Sequence, residues 1–169
     1  MAAKLQVSVE EYLRTSYDNP DREYVDGEIV ERAAPDNLHS AVQFRLIEIF
    51  GELRRKHRLH IRPELRQRVS EKRFRITDVA VFAGQAPSER VPTAPPYIAI
   101  EIVSPEDRFT EILEKLDEYR NWGVAHVWLV DPQFRRFCIY GSSGLAEVMV
   151  LELPEYGVAL TPSEVFSEI

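Results

Sequence analysis

Two acidic residues stand inside stretches that are otherwise almost entirely apolar. Asp78 interrupts residues 74–82, Phe-Arg-Ile-Thr-Asp-Val-Ala-Val-Phe, and Glu101 interrupts residues 97–103, Tyr-Ile-Ala-Ile-Glu-Ile-Val. Both stretches are typical of buried strands, where an ionised carboxylate costs several kcal/mol unless a cation, a metal or hydrogen-bond donors compensate it. Two carboxylates on neighbouring strands would repel each other and attract a divalent metal. The pair therefore outlines a metal-dependent hydrolytic site.

The alternation of a strand predicts which neighbours share a face with each carboxylate. One face of the first strand would carry Ile76, Asp78, Ala80 and Phe82, and one face of the second would carry Tyr97, Ala99, Glu101 and Val103. A buried ion pair with a lysine or arginine, and no metal, would explain the same two carboxylates. Spacing alone leaves both interpretations open.

The rest of the chain supplies elements that would hold these strands in one domain. With 169 residues, 44% of them hydrophobic, the chain can bury a sizeable core, and we expect a single domain over 1–169. Helices are predicted at about 9–15, 38–56 and 109–122, strands at 60–69, 73–82, 97–103 and 125–130, and hairpins at 22–32 and 134–153. A strand, a helix and a further strand in succession predict a right-handed βαβ crossover. The expected fold is α/β (α+β), a mixed sheet flanked by helices.

Net charge, cysteine content and hydropathy limit the partners and the cellular location that we expect for this protein. The net charge of −7 argues against a protein that coats nucleic acid nonspecifically, although a basic strip from Arg54 to Arg68 could contact phosphates or be a solvated helix end and strand face. Cys138 is the only cysteine, which excludes an internal disulfide and favours a cytoplasmic location. No apolar stretch approaches the roughly 20 residues of a membrane span, so we expect no membrane contact.

Several segments resemble the bacterial Uma family. They are Glu-Tyr-Val-Asp-Gly-Glu-Ile (23–29), Ile-Thr-Asp-Val-Ala-Val (76–81), Ile-Glu-Ile-Val-Ser-Pro-Glu-Asp (100–107), Lys115 with Tyr119, and Gly-Val-Ala-His-Val-Trp-Leu-Val-Asp-Pro (123–132). They occur in the expected order and cover roughly residues 7–154. The Uma family comprises restriction-endonuclease-like proteins of the PD-(D/E)XK superfamily, many of them without an assigned substrate. The resemblance implies a restriction-endonuclease-like core.

The resemblance also implies roles for particular residues. Asp78 corresponds to the aspartate of the PD half-motif, with Thr77 in place of the proline, and Glu101 to the acidic residue of the (D/E)XK half-motif. Val103 stands where the superfamily usually has lysine, and Lys115 on the next helix is the expected substitute. Two further site residues are expected from the hairpin and from the start of the long helix, namely Glu28 and His39.

Phosphodiester hydrolysis would use these groups with Mg²⁺ or Mn²⁺, because both ions accept oxygen ligands. Asp78, Glu101 and the Ile102 carbonyl would be the ligands, and Lys115 would position or help deprotonate the attacking water. Tyr119 lies four residues after Lys115 on the same helix and would orient its amine.

The expected function is therefore that of a metal-dependent endonuclease acting on DNA, and the sequence does not separate it from an endonuclease acting on RNA, since it shows no aromatic stacking array or recognised RNA-binding module. The alternative is a catalytically silent binding or assembly module that retains the nuclease fold, which the valine at 103 and the negative charge favour. An apolar C-terminal hairpin further suggests a homodimer. The amine of Lys115 distinguishes the two functions, because a catalytic lysine must lie within about 6 Å of the carboxylates, the reach of a one-water bridge.

Overall fold

The computed structural model describes residues 6–16, 22–167 and 169. Its helices are α1 (Val9–Arg14), α2 (Asn37–Lys56), α3 (Phe109–Trp122) and α4 (Pro162–Val165), with a 3₁₀ turn at Pro154–Tyr156. Its strands are β1 (Arg22–Val25), β2 (Glu28–Glu31), β3 (Leu59–Ser70), β4 (Arg73–Ala83), β5 (Ile98–Ile102), β6 (His126–Asp131), β7 (Arg136–Gly141), β8 (Gly144–Val148), β9 (Leu151–Leu153) and β10 (Val158–Leu160). None of the described helices is both long and apolar enough to cross a membrane.

The central sheet has eight strands in the order β2-β1-β4-β5-β6-β7-β8, with β3 paired to β4. β5 and β6 run parallel and are joined through α3, as the βαβ pattern predicts. The other ladders in the described residues are antiparallel, so the mixed sheet with helices on it is confirmed. β9 and β10 form a separate two-stranded sheet.

Two helices cover opposite faces of the sheet. α2 begins after Asp36, whose side chain accepts the His39 N–H at 2.8 Å, and it packs Val42, Leu46 and Phe50 onto Ile98 and Ile100 of β5. α3 packs Leu116 and Tyr119 onto Ala99, the intervening residue of β5. α3 ends at Gly123, whose φ of 106° suits a residue without a Cβ. The sheet is thus buried on both sides where β5 crosses it.

One edge of β4 is divided between two partners. β3 pairs along the whole of one edge, whereas the other edge pairs with β1 at Arg73 and Phe74 and with β5 from Val79 to Val81. Residues 75–78 lie between these two ladders. Backbone groups in such a buried interval need side-chain partners, because an unpaired buried N–H or C=O is costly. This interval of β4 holds the acidic residue Asp78.

The strict alternation of β4 that the sequence predicts is wrong at Asp78. Thr77 hydrogen-bonds Tyr119 on the α3 side, but Val79 lies in the apolar cluster on the α2 side. Residues two apart would share a face in a regular strand. On β3, Glu64 lies between the residues paired with Thr77 and Val79, and its φ is 47°. The local irregularity exchanges the two faces, so Ile76 and Asp78 do not continue the face of Ala80 and Phe82.

The terminal hairpins are both present, with a change in the second. β1 and β2 pair across the Asp26-Gly27 turn as predicted. β7 pairs with Gly144–Val148, not with a strand reaching 153. Leu151 and Leu153 instead pair with β10 and are fully buried in the core beneath α2, because their apolar side chains gain more there than at a sheet edge.

Candidate active site

Side chains close the interval of β4 that lies between β1 and β5. A Glu23 oxygen accepts the Ile76 N–H at 2.8 Å, and Lys115 Nζ donates to the Ile76 carbonyl at 2.7 Å. One Asp78 oxygen accepts the Ile102 N–H of β5 at 2.7 Å. Charged side chains thus replace the missing ladder bonds. The local interruption of the sheet explains why acidic and basic groups converge inside an apolar core.

Asp78 is 2% exposed and is surrounded by donors. Arg32 Nη2 lies 2.5 Å from one carboxylate oxygen, and His39 Nε2 lies 3.3 Å from the other. Although burial alone would raise it, the bond from His39 and the charges of Arg32 and Lys115 hold the pKa of Asp78 below its usual value. Asp78 therefore remains an ionised carboxylate.

Glu101 is 7% exposed, and its two oxygens bind two residues of α3. Lys115 Nζ lies 2.8 Å from one oxygen, and the Tyr119 hydroxyl donates to the other at 2.8 Å. Burial raises the pKa of Glu101 to about 8, against the opposing charge of Lys115, and the charge of Asp78 adds to the rise. The ionised form of Glu101 is consequently short of positive charge, and a further cation would stabilise it.

Lys115 meets the distance requirement set by its predicted role. Its amine contacts Glu101, the Ile76 carbonyl and, at 2.9 Å, Glu23. Burial would lower the pKa of Lys115, but the charges of Glu101 and Glu23 raise it above its usual value. Three acceptors hold the lysine as a cation, and its amine contacts Glu101 directly, well within about 6 Å.

Two further site residues escaped sequence reasoning. Glu23 is buried between Lys115 and Arg75, and their charges hold its pKa below normal in spite of the burial that would raise it. Arg32 bridges Asp78 and Glu64 from just beyond β2. Only one signal in the sequence pointed to this network: Arg75 is itself a charged residue inside the apolar stretch around Asp78.

Of the three accessory residues expected from the sequence, two lie at the site and one does not. His39 and Tyr119 lie at the site, His39 against Asp78 and Tyr119 against Glu101. Tyr119 bonds the carboxylate and not the lysine that we expected it to orient. Glu28 lies opposite Val25 beside the hairpin turn and does not line the cavity, whereas Glu23 of the same hairpin does.

A polar chain extends from Glu101 into the core behind α3. The Thr77 hydroxyl lies 2.9 Å from the Tyr119 oxygen and 2.7 Å from the side-chain oxygen of Gln67, which is fully buried. This chain fixes the rotamer of Tyr119 and hence the orientation of the Glu101 carboxylate.

The carboxylates open onto a cavity of about 220 Å³. Its walls include Glu23, Arg32, His39, Asp78, Glu101, Ile102, Ser104, Asp107 and Lys115. Four acidic side chains and the cationic side chains of Arg32 and Lys115 are thus among those that face one solvent-connected space. Such an arrangement can hold a cation against the acids and an anion against the bases.

Comparison with known proteins agrees with this geometry. The Uma2 family, described as "Putative restriction endonuclease", matches residues 9–169. The chain belongs to the Uma2 family. A crystal structure of a "putative nuclease belonging to DUF820" from Anabaena variabilis ATCC 29413 superposes with a TM-score of 0.83 at 20% sequence identity, covering 95% of this chain and 98% of that one. No curated protein matches the chain.

The Uma2 site fits a hard divalent ion by the chemistry of its donors. Asp78, Glu101 and the backbone at Ile102 offer oxygens, the ligands that Mg²⁺ and Mn²⁺ accept. Within the described part of the chain, no three His, Cys, Asp or Glu side chains cluster closely enough to hold a metal by themselves. An ion here would need further oxygens from water or phosphate, which is usual for Mg²⁺. The raised pKa of Glu101 is the second sign of fit.

Proposed function

We propose that this member of the Uma2 family is a metal-dependent endonuclease that hydrolyses phosphodiester bonds of DNA. One observation carries the proposal: the Lys115 ammonium lies 2.8 Å from Glu101 in a cavity that Asp78 also lines. Two buried carboxylates and a cationic donor are the groups that metal-assisted phosphodiester hydrolysis requires. The family description and the likeness to a nuclease fold support the same reaction class.

Each residue has a role that follows from its contacts. Asp78, Glu101 and the Ile102 carbonyl would hold Mg²⁺ or Mn²⁺, which when bound lowers the pKa of a coordinated water and offsets charge on the phosphate. Lys115 would hold the attacking water by a hydrogen bond or stabilise charge on the reacting phosphate. Arg32 lines the same cavity and would bind a non-bridging phosphate oxygen.

A second cavity supports a polyanionic substrate. It measures about 320 Å³ and is lined by Arg14, Arg22, Arg66 and Arg90, together with Thr15 and Ser16, and none of the described residues in its walls is acidic. Ile76 contributes to its wall and also accepts the bond from Lys115, so β4 links the two cavities. In a chain of net charge −7, this local group of arginines favours phosphate binding, with Arg14 and Arg22 also paired to Glu10 and Glu31 at the surface. Of the basic strip predicted at 54–68, Arg66 lies here, whereas Arg54 lies at the end of α2.

One observation favours the alternative of a catalytically silent module. Arg32 and Lys115 already contact Asp78 and Glu101 in buried ion pairs. Such a network could serve only to hold β1, β4, β5 and α3 together. The two functions differ in whether the carboxylates bind a metal.

Calorimetric titration of Mg²⁺ and Mn²⁺ into the wild type and Asp78→Asn tests the proposal first. The asparagine retains an oxygen that can accept the Ile102 N–H but loses the anionic ligand and the charge that pairs with Arg32, so urea unfolding must first show that the variant is folded. Asp117→Asn, at an exposed position of α3, is the matched control. We expect binding by the wild type and the control, and no binding by Asp78→Asn.

Cleavage of supercoiled plasmid then tests the chemistry, with Glu101→Gln and Lys115→Met as inactive variants. Metal binding without cleavage of any DNA would move the assignment to the silent module. If neither Mg²⁺ nor Mn²⁺ bound, whether alone or in the presence of an oligonucleotide, the metal site itself would be contradicted. Homodimerisation stays a prediction that sedimentation at working concentration tests directly.

A further inference from the structure

A third cavity adjoins the candidate active site. It measures about 410 Å³ and shares Ser104, Asp107 and Ile112 with the cavity that holds the carboxylates. Its volume falls within the roughly 300–1,000 Å³ of small-molecule sites. A group that occupies it would be continuous with a phosphate bound near Asp78 and Glu101.

Two exposed phenylalanines line this third cavity. Phe109, the first residue of α3, is 58% exposed, and Phe134, in the turn between β6 and β7, is 66% exposed. Leu38 and Val103 add further apolar surface. The resemblance places Val103 at the position where the superfamily usually has a lysine. Because Lys115 of α3 supplies the cation instead, this part of the cavity wall is apolar. Arg136 lies 4.7 Å from the ring centroid of Phe134, and both phenylalanines remain more than half exposed beside the candidate active site, where a ligand could cover them.

Three carboxylates line the third cavity, together with the Ser104 hydroxyl and the Gln133 amide. Asp36, Asp107 and Asp131 line it, and each has one oxygen fixed by a backbone N–H, from His39, Ser104 and Phe134 respectively. Carboxylates repel phosphate but accept hydrogen bonds from amino groups. An occupant with a flat aromatic face and several N–H donors fits these walls, and a nucleobase has both properties.

We propose that the third cavity binds one unpaired nucleobase of the substrate strand, next to the phosphate that is cleaved. This inference rests on the proposed nuclease function and adds a substrate class to it. A base inside a duplex has both faces stacked and its amino groups paired, so it cannot enter such a cavity. The substrate would be single-stranded or locally unpaired at the cleaved position.

The test measures binding, without turnover, of a single-stranded DNA oligonucleotide that carries one 2-aminopurine, in the presence of EDTA. Phe109→Ala and Phe134→Ala are compared with the wild type and with Phe44→Ala, a phenylalanine of α2 that is 60% exposed and lies outside this cavity. Loss of one stacked base should weaken binding about 5- to 100-fold in the two cavity variants. Phe44→Ala should bind like the wild type.

An oligonucleotide with an abasic position supplies the second comparison. We expect the wild type to bind it as weakly as the two cavity variants bind the intact strand, and to bind a fully paired duplex less tightly than the single strand. Equal binding by all four proteins, a preference for duplex, or no binding by the wild type would overturn the inference. So would a dimer that dissociates in Phe134→Ala, because the cavity would then be an interface between copies. If the wild type showed these binding differences but cleaved no DNA, the result would contradict the proposed nuclease function and leave the base-binding cavity supported.

Discussion

The Lys115 ammonium donates to the Glu101 carboxylate at 2.8 Å, although the residues lie 14 positions apart on different elements. The amine comes from α3 and not from β5, and it is fixed by two further acceptors, Glu23 and the Ile76 carbonyl. Because three acceptors hold the Lys115 amine, its charge stays in one place, where it can position a water or a phosphate. The same arrangement leaves Val103 free to form the apolar wall of the neighbouring cavity.

Replacing Lys115 should separate metal binding from catalysis. Lys115→Met removes the ammonium that donates to Glu101. Because the pKa of Glu101 is about 8, Glu101 can take up a proton in the metal-free variant and need not remain as an unpaired buried charge. We expect plasmid cleavage to fall at least about 100-fold with Mn²⁺ affinity retained. Lys56→Met, at the exposed end of α2, is the control and should cleave normally. Normal cleavage by Lys115→Met would remove the lysine from the mechanism.

The raised pKa of Glu101 predicts how stability changes with pH. The folded protein keeps a proton on Glu101 up to about pH 8, whereas the unfolded chain releases it near 4.5. Between these values the unfolded state binds fewer protons, so the free energy of unfolding should fall as pH rises, by about 1.4 kcal/mol per pH unit from this group. Urea unfolding of the metal-free protein between about pH 5 and 8 measures it.

The control for that slope is Glu101→Gln, which cannot ionise. Its unfolding free energy should be flatter with pH and should exceed that of the wild type at the alkaline end. A residual decrease above pH 6.5 is expected from His39. Burial lowers its pKa, but the bond to Asp78 and the charge of Asp78 raise it overall, so the stabilising proton is lost as pH rises through the folded value. Identical slopes in the two proteins would contradict a protonated Glu101.

The sequence predicted the carboxylates because each breaks an apolar run, and that signal is local. Asp78 and Glu101 are buried on neighbouring strands, and the resemblance supplied Lys115, which no spacing within β5 indicates. Glu23 could not be found in this way. Its neighbours in the hairpin look like an ordinary exposed turn, and only the pairing of Tyr24 with Phe74 across the sheet buries it.

The face exchange in β4 was unpredictable for a similar reason. Strand alternation is a rule about one strand, but the irregularity at Asp78 depends on the backbone of Glu64 in β3 and on two partners sharing one edge. The sequence likewise does not indicate that Phe109 of α3 and Phe134 of the β6–β7 turn line one cavity, because they lie on separate elements. Local patterns thus gave the fold and the acidic pair, whereas the ion network and the aromatic cavity depend on tertiary packing.

Glu23 should be required for stability as well as for the position of Lys115. Glu23→Gln keeps an oxygen for the Ile76 N–H but sets an amide against Arg75 and Lys115, which each lie 2.9 Å from the glutamate oxygens. Removing one partner of a buried ion pair typically costs about 3–5 kcal/mol, and we expect a loss of that order in urea unfolding. Glu31→Gln, in the same hairpin but in an exposed pair with Arg22, should change stability by less than about 1 kcal/mol. A similar effect of both substitutions would show that the network contributes nothing beyond a surface pair.

If the arginine-lined cavity binds phosphates, its arginines should contribute to the salt dependence of oligonucleotide binding. Arg66 lies over the ring of Tyr12 and lines this cavity with Arg90, so both guanidinium groups are placed to bind phosphates of the same strand. If each contacts one phosphate, Arg66→Ala and Arg90→Ala should each reduce the slope of log K against log salt concentration by about 0.7 on a single strand, and should weaken binding equally for all sequences. Arg54→Ala, exposed in the last turn of α2, is the matched control and should leave the slope unchanged. Fluorescence anisotropy with a labelled oligonucleotide at several salt concentrations measures the slopes. Unchanged slopes in both cavity variants would place the DNA backbone elsewhere on the surface.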